Sequence, residues 1–260
     1  MTARKTGSGP KKSAARGRRS RSRKRSSTGS SGAKRPQRAA GARRIGVLGG
    51  TFNPVHRGHL HAAELVRKRL DLARIVFVPA ADPPLKRGGA ETIAPAALRL
   101  AWVQSALRGR PRFVADDLEL RRAGPSYTVD TLRELAARLA PARLVFLVGE
   151  DAFAELDLWR EPSTLLTLAD FAVMTRPPGL GKPLRSLLSK ALAAQFEWDA
   201  DGESGTHRAA KTRLTRVAID ALDVSATEIR RRIRAGESVR YLLPAAVHDA
   251  VLASGAYRTK

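Results

Sequence analysis

The chain has 260 residues, with 48 Lys+Arg against 24 Asp+Glu, a formal net charge of +24 and no cysteine. These numbers exclude disulfides, thiolate catalysis and cysteine-ligated metals, and no run of about 18 apolar residues offers a membrane-spanning helix. The charge is uneven, because residues 1–44 hold 16 of the 48 Lys+Arg and no acid, which leaves a net +8 on residues 45–260. Residues 1–44 are mostly Arg, Lys, Ser, Gly and Ala, too few apolar groups to offset the entropy of ordering. They read as a disordered basic tail, either simply solvated or left by an upstream gene start; non-specific binding of polyanions by counterion release is the functional alternative. Residues 45–260 suffice for one domain with a substantial core. No apolar stretch of the kind a secretory signal needs follows the basic start, so the expected compartment is cytoplasmic.

Ile45–Leu48 is a short apolar strand. It runs into Gly49-Gly50-Thr51-Phe52-Asn53-Pro54-Val55-His56-Arg57-Gly58-His59, a glycine-rich turn that opens a helix expected over about Gly58–Leu70. The two glycines let backbone N–H groups approach an anion. His56 and His59, three residues apart on a first helical turn, share a face beside the positive end of the helix dipole. A neutral imidazole still donates one N–H, so backbone donors, dipole and two rings together describe a polyphosphate site. The G-x-G-x-x-G spacing of a dinucleotide fold is absent, and neither a cysteine nor an acid joins the histidines at zinc-ligand spacing. The blandest alternative, a helix cap with two surface histidines, fits poorly with two glycines, an Asn-Pro turn and two of only five histidines in so short a stretch.

Downstream, strands are expected at Ile75–Val78, Phe113–Ala115, Leu144–Val148, Phe171–Met174 and Val217–Ile219. Helices are expected near Pro95–Leu107 and Val129–Leu139, and the polar stretch Trp198–Arg213 reads as a surface loop. Ser225–Arg234 reads as an N-capped helix ended by Gly236, and Ala245–Ser254 as the last helix. Short apolar strands with helices between them predict an α/β fold: a Rossmann-like, doubly wound, mostly parallel sheet with helices on both faces. Ligands in such sheets bind beyond the carboxyl ends of the strands, where Gly49–His59 falls. Ser225, Thr227 and Arg230 lie together at one helix start and suit the β- and γ-phosphates of a nucleotide. Arg231, Arg232 and Arg234 read as a solvated basic face.

Phe52, Pro54, His56, Gly58 and His59 stand where the G-x-F-x-P-x-H-x-G-H signature of the nucleotidylyltransferase superfamily requires them. Val224-Ser225-Ala226-Thr227-Glu228-Ile229-Arg230 resembles its second signature, about 170 residues further on. Within that superfamily the chain is most similar to the bacterial nicotinate-nucleotide adenylyltransferases. The matching blocks are Val78–Lys86 with its double proline, Ser126-Tyr127-Thr128-Val129-Asp130-Thr131-Leu132, Gly149-Glu150-Asp151 with Leu158-Trp159, and Thr175-Arg176-Pro177. The resemblance spans about Ile45–Ala256 and departs at Leu85, where a His is common, and at Ala226, where a Ser is common.

What the resemblance implies is transfer of AMP from ATP to nicotinate mononucleotide, giving nicotinate adenine dinucleotide and pyrophosphate in NAD biosynthesis. It implies His56, His59 and Arg230 as catalytic, and Gly49, Gly50, Thr51, Phe52, His59, Ser225, Thr227 and Arg230 as the ATP site. The acceptor site it implies is Lys86, Tyr127, Thr128, Asp151 and Trp159. The chemistry agrees: an indole can stack on a pyridinium ring, and N–H groups at a helix start can hold its carboxylate. The bland readings are packing for Trp159, an ordinary cap for Ser126–Thr128, a first helical turn for Asp151 and a surface lysine for Lys86. No metal-ligand set is visible, so Mg²⁺ is expected to arrive with ATP. Phosphopantetheine or nicotinamide mononucleotide are the competing acceptors, and a nucleic-acid-binding regulator on a dead transferase fold is the competing class.

Overall fold

The computed structural model describes residues 43–83, 92–176, 179, 181–220 and 222–258. The expected tail lies outside the described residues except for Arg43 and Arg44, as do Leu85 and Lys86. In chain order the elements are β1 (Arg44–Gly50), α1 (Arg57–Arg69), β2 (Arg74–Pro79), α2 (Ala96–Leu107), β3 (Phe113–Ala115), α3 (Leu118–Arg121), α4 (Thr128–Leu139) and β4 (Arg143–Gly149). There follow α5 (Glu150–Ala154), α6 (Pro162–Leu168), β5 (Asp170–Thr175), α7 (Leu184–Leu187), α8 (Lys190–Ala193), β6 (Phe196–Trp198), β7 (Ser204–His207), β8 (Arg213–Ala218), α9 (Ala226–Arg234) and α10 (Ala245–Ser254).

The strands form one sheet in the order β3-β2-β1-β4-β5-β8-β7-β6, parallel from β3 to β8 and antiparallel for β7 and β6. From β1 the chain winds outward to β2 and β3, then returns to place β4 on the other side of β1. The strand order therefore reverses between β1 and β4, the place where open α/β sheets bind ligands.

Alternation along each strand feeds two cores. Leu48, Ile75, Phe77, Val145 and Leu147 face a layer made by α1, α2, α9 and α10. Ile45, Val47, Val76, Val78, Leu144 and Phe146 face α4 and α6. Gly46 lies in mid-strand because a Cβ there would run into Ile75 and come within 2.9 Å of Leu72. Buried on both faces, these strands read as apolar runs, which is why they were visible in the sequence.

One expectation is corrected. Trp198–Arg213 is not a plain surface loop: it contains β7, which pairs with β6 and β8. Ser204-Gly205-Thr206-His207 has neither an apolar run nor β-branched enrichment. Its strand conformation comes from pairing between β8 and β6 and not from local propensity.

Candidate active site

The turn after β1 brings the site together. His56 is the N-cap of α1, in extended conformation, and His59 is its third residue. The helix starts one residue earlier than the sequence suggested, so the two rings stack with centroids 3.7 Å apart. Gly58 makes room: a Cβ there would lie 2.9 Å from Val224 and 3.1 Å from the His56 ring. The His56 backbone N–H donates to His59 Nδ1 at 3.2 Å, which leaves the proton of a neutral His59 on Nε2. The Phe52 ring packs edge-on against His59 at 5.1 Å. Phe52 is also the left-handed residue of the turn, at φ 48°, whereas Gly49 and Gly50 are not.

Two cavities flank the carboxyl end of β1. The first, about 270 Å³, is lined by His56, Gly58, His59, Gly149, Arg176, Ser225 and Ala226 among others. Its walls are the start of α1, the start of α9 and the ends of β4 and β5. Ser225 caps α9 by accepting the Glu228 N–H. Burial, reinforced by the nearby Arg176 guanidinium, lowers the His56 pKa to about 4, so the ring is neutral at neutral pH. Its Nδ1 has no hydrogen-bond partner among the described residues. The cavity thus offers the neutral His56 imidazole, the His59 ring, one guanidinium and a helix N-terminus, a combination suited to phosphate oxygens.

The second cavity, also about 270 Å³, is lined by Gly49, Gly50, Thr51, Ser126, Tyr127, Thr128 and Trp159, with Glu119 and Arg160. Thr128 is the first residue of α4, whose opening N–H groups have no partner within the helix. The Tyr127 N–H is turned onto the Pro125 carbonyl at 3.1 Å, so of the two expected amide donors Thr128 is the better placed. Trp159 is half-buried, edge-on to Phe146, and its Nε1–H has no partner among the described residues. The Arg160 guanidinium sits over the Tyr127 ring, 4.7 Å from its centroid.

Buried polar side chains hold the turn between the cavities. Arg99, 1% exposed, donates to the carbonyls of Ala94, Thr51, Ala80 and Ala81, tying the end of β1 to the end of β2. Asn53 Oδ1 accepts from the Ala94 N–H and the Tyr257 hydroxyl. Arg230, 2% exposed, donates to the Asn53 carbonyl at 2.6 Å and to Thr227 Oγ1 at 3.0 Å.

The structure therefore gathers His56, His59 and Ser225 in one cavity and Tyr127, Thr128 and Trp159 in the other. Gly49, Gly50 and Thr51, expected with ATP, line the Trp159 side. Thr227 and Arg230 are hydrogen-bonded to each other and are not among the residues lining the first cavity. Asp151 is exposed on the first turn of α5 and lines neither cavity. Sequence reasoning missed Arg99, Asn53 and Glu119. Arg99 was detectable as the single charge in the apolar helix Ala96–Leu107. Arg176 belongs to the Thr175-Arg176-Pro177 block, whose sequence by itself assigns it no role.

A family model described as cytidylyltransferase-like matches residues 47–232. A protein of Thermomicrobium roseum named probable nicotinate-nucleotide adenylyltransferase is 38% identical over 216 residues, covering 83% of this chain and 92% of its own. One of the same name from Marinobacter nauticus is 41% identical over 212 residues, covering 81% and 95%. Among solved structures, Plasmodium falciparum nicotinic acid mononucleotide adenylyltransferase complexed with NaAD shares the fold, with a TM-score of 0.61 at 14% identity over 83% of this chain and 97% of that one.

Proposed function

This chain belongs to the nicotinate-nucleotide adenylyltransferase family, and we propose how its residues carry that reaction. The protein transfers AMP from ATP to nicotinate mononucleotide, releasing pyrophosphate and giving nicotinate adenine dinucleotide in NAD biosynthesis. The observation that carries the assignment of roles is the pair of cavities, one phosphate-suited and one with an indole, on the two sides of the β1 end.

ATP lies on the histidine side, with its phosphates against the start of α9. The acceptor lies on the other side, its ring on Trp159 and its carboxylate at the Thr128 N–H. The acceptor phosphate is already a nucleophile, so it attacks the α-phosphorus in line and pyrophosphate leaves; no protein nucleophile is needed. Catalysis is then positioning and charge stabilisation. His59 Nε2–H and the His56 ring donate to oxygens of the transferred phosphoryl group. Arg230 and Thr227 stiffen the start of α9 and add positive potential behind the β- and γ-phosphates, while Arg176 faces them from β5. Lys86 belongs to the acceptor side on the family pattern, and Asp151 contacts a ribose only if α5 shifts on binding.

Mg²⁺ is part of the ATP substrate in this reading. Phosphate oxygens and water would carry it, and it would offset charge on the leaving pyrophosphate. No helix of the described residues is long and apolar enough to cross a membrane. We place the reaction in the cytoplasm, and assign residues 1–44 at most a non-specific affinity for polyanions.

A pyrophosphate-release assay with Mg²⁺, ATP and a panel of acceptors tests the assignment. Nicotinate mononucleotide should be the preferred acceptor over nicotinamide mononucleotide and phosphopantetheine. Release with phosphopantetheine and none with nicotinate mononucleotide would overturn it.

A further inference from the structure

Glu119 is a carboxyl in an unusual place. It sits on the short helix α3, is 6% exposed, and lines the Trp159 cavity beside Ser126, Tyr127 and Thr128. The Thr131 hydroxyl, one turn into α4, donates to Glu119 Oε1 at 2.5 Å, and Oε2 has no hydrogen-bond partner among the described residues. The Arg122 guanidinium reaches the same Thr131 oxygen at 3.2 Å. Ser126 Oγ accepts from the Ala81 and Asp82 N–H groups, which joins the loop after β2 to the start of α4. Glu119 thus stands where these two connections meet.

We propose that Glu119 is a positioning residue for the acceptor: its buried carboxyl, held by Thr131, braces the opening turn of α4 beside the site of the acceptor's own carboxylate. This rests on the acceptor reading above. Taking an ionised carboxylate out of water carries a desolvation cost, which protonation removes. Burial accordingly pushes the Glu119 carboxyl up, outweighing the Thr131 and Ser126 hydroxyls, Arg122 and the Ala81 N–H, all of which favour ionisation. Arg99, on α2, is the other charged group that feels Glu119. As pH rises through this raised pKa, Glu119 ionises beside the site of the acceptor carboxylate, and binding of an acid-bearing ring weakens. An amide-bearing ring has no charge there and is spared.

The readout is the ratio of KM for nicotinate mononucleotide to KM for nicotinamide mononucleotide across pH. Both acceptors carry the same titrating phosphate, so the ratio removes its contribution. In the wild-type protein the ratio should rise about tenfold or more with pH, the scale of one like-charge contact. In Glu119→Gln, which keeps the volume and cannot ionise, the ratio should be flat, with KM for ATP unaffected. Glu119→Ala should raise KM for both acceptors about tenfold by loosening α4, again sparing ATP. A flat wild-type ratio, or a Glu119→Gln ratio that climbs like the wild type's, overturns the proposal. If nicotinate mononucleotide is not turned over at any pH, the acceptor reading has failed instead. The same ratio of dissociation constants, read from quenching of tryptophan fluorescence, then still decides the role of Glu119.

Discussion

His59 Nδ1 accepts the backbone N–H of His56 at 3.2 Å, with the two rings 3.7 Å apart. One hydrogen bond thereby caps the helix and chooses the tautomer that presents Nε2–H to a ligand. Helix start and the proposed catalytic donor are the same piece of structure.

Replacing that donor should be costly for chemistry and cheap for the fold. His59→Ala is expected to lower turnover about a hundredfold, the scale of losing one preorganised donor. His56→Ala should lower it similarly. Single-turnover rates check this beside far-ultraviolet circular dichroism; a folded variant with wild-type rates would remove that histidine from the reaction.

Stability should depend on pH through His56. Its native pKa of about 4 lies below the ordinary value of 6.5. Between these values the unfolded chain holds the proton and the native protein does not, so stability rises with pH through that window. The stabilisation is complete above about pH 6.5 and falls away as pH drops toward 4, by on the order of 3 kcal/mol. Urea melts from pH 4 to 7 should show this slope in the wild type and a shallower one in His56→Gln.

Trp159→Ala should raise KM for nicotinate mononucleotide far more than KM for ATP, because the indole faces only the second cavity. Loss of a stacking contact of this kind amounts to about 1–2 kcal/mol, a five- to thirtyfold effect. Equal effects on the two substrates would assign Trp159 to packing instead.

Arg99→Met should behave in the opposite way. It leaves the carbonyls of Thr51, Ala80, Ala81 and Ala94 without their donor, costing about 3 kcal/mol or more in stability. Because Thr51 and Ala80 flank the β1 end, both KM values should rise together. A chemical-denaturation midpoint and steady-state constants on the same preparation test both halves of the statement.

A chain starting at Ala42 should keep wild-type turnover and Michaelis constants, because residues 1–41 contain nothing from either signature. It should lose affinity for a polyanion such as heparin, and in the full chain that affinity should fall steeply with added salt. Loss of activity in a folded truncated protein would show that the tail reaches the site.

Strands buried on both faces are legible because their apolar runs are local, and the histidine turn is legible because its spacing is local. The same holds for the Ser225 cap and the Ser126–Thr128 block. Strand β7 was not legible: its residues have no strand preference until β6 and β8 pair with them. Arg99 and Asn53 escaped for a related reason. Their partners lie far off in the chain, Tyr257 being 204 residues from Asn53 and Thr51 48 residues from Arg99. Asp151 shows the reverse, named from a pattern in sequence and lining neither cavity. By itself the sequence determined most of the elements and the residues proposed to bind phosphate, because periodicity, caps and turn chemistry act over a few residues. Only the tertiary structure decided that these groups face two cavities on opposite sides of β1, and that a buried arginine and a buried carboxyl hold the walls. Burial and long-range hydrogen bonds exist only once the sheet has brought distant residues together.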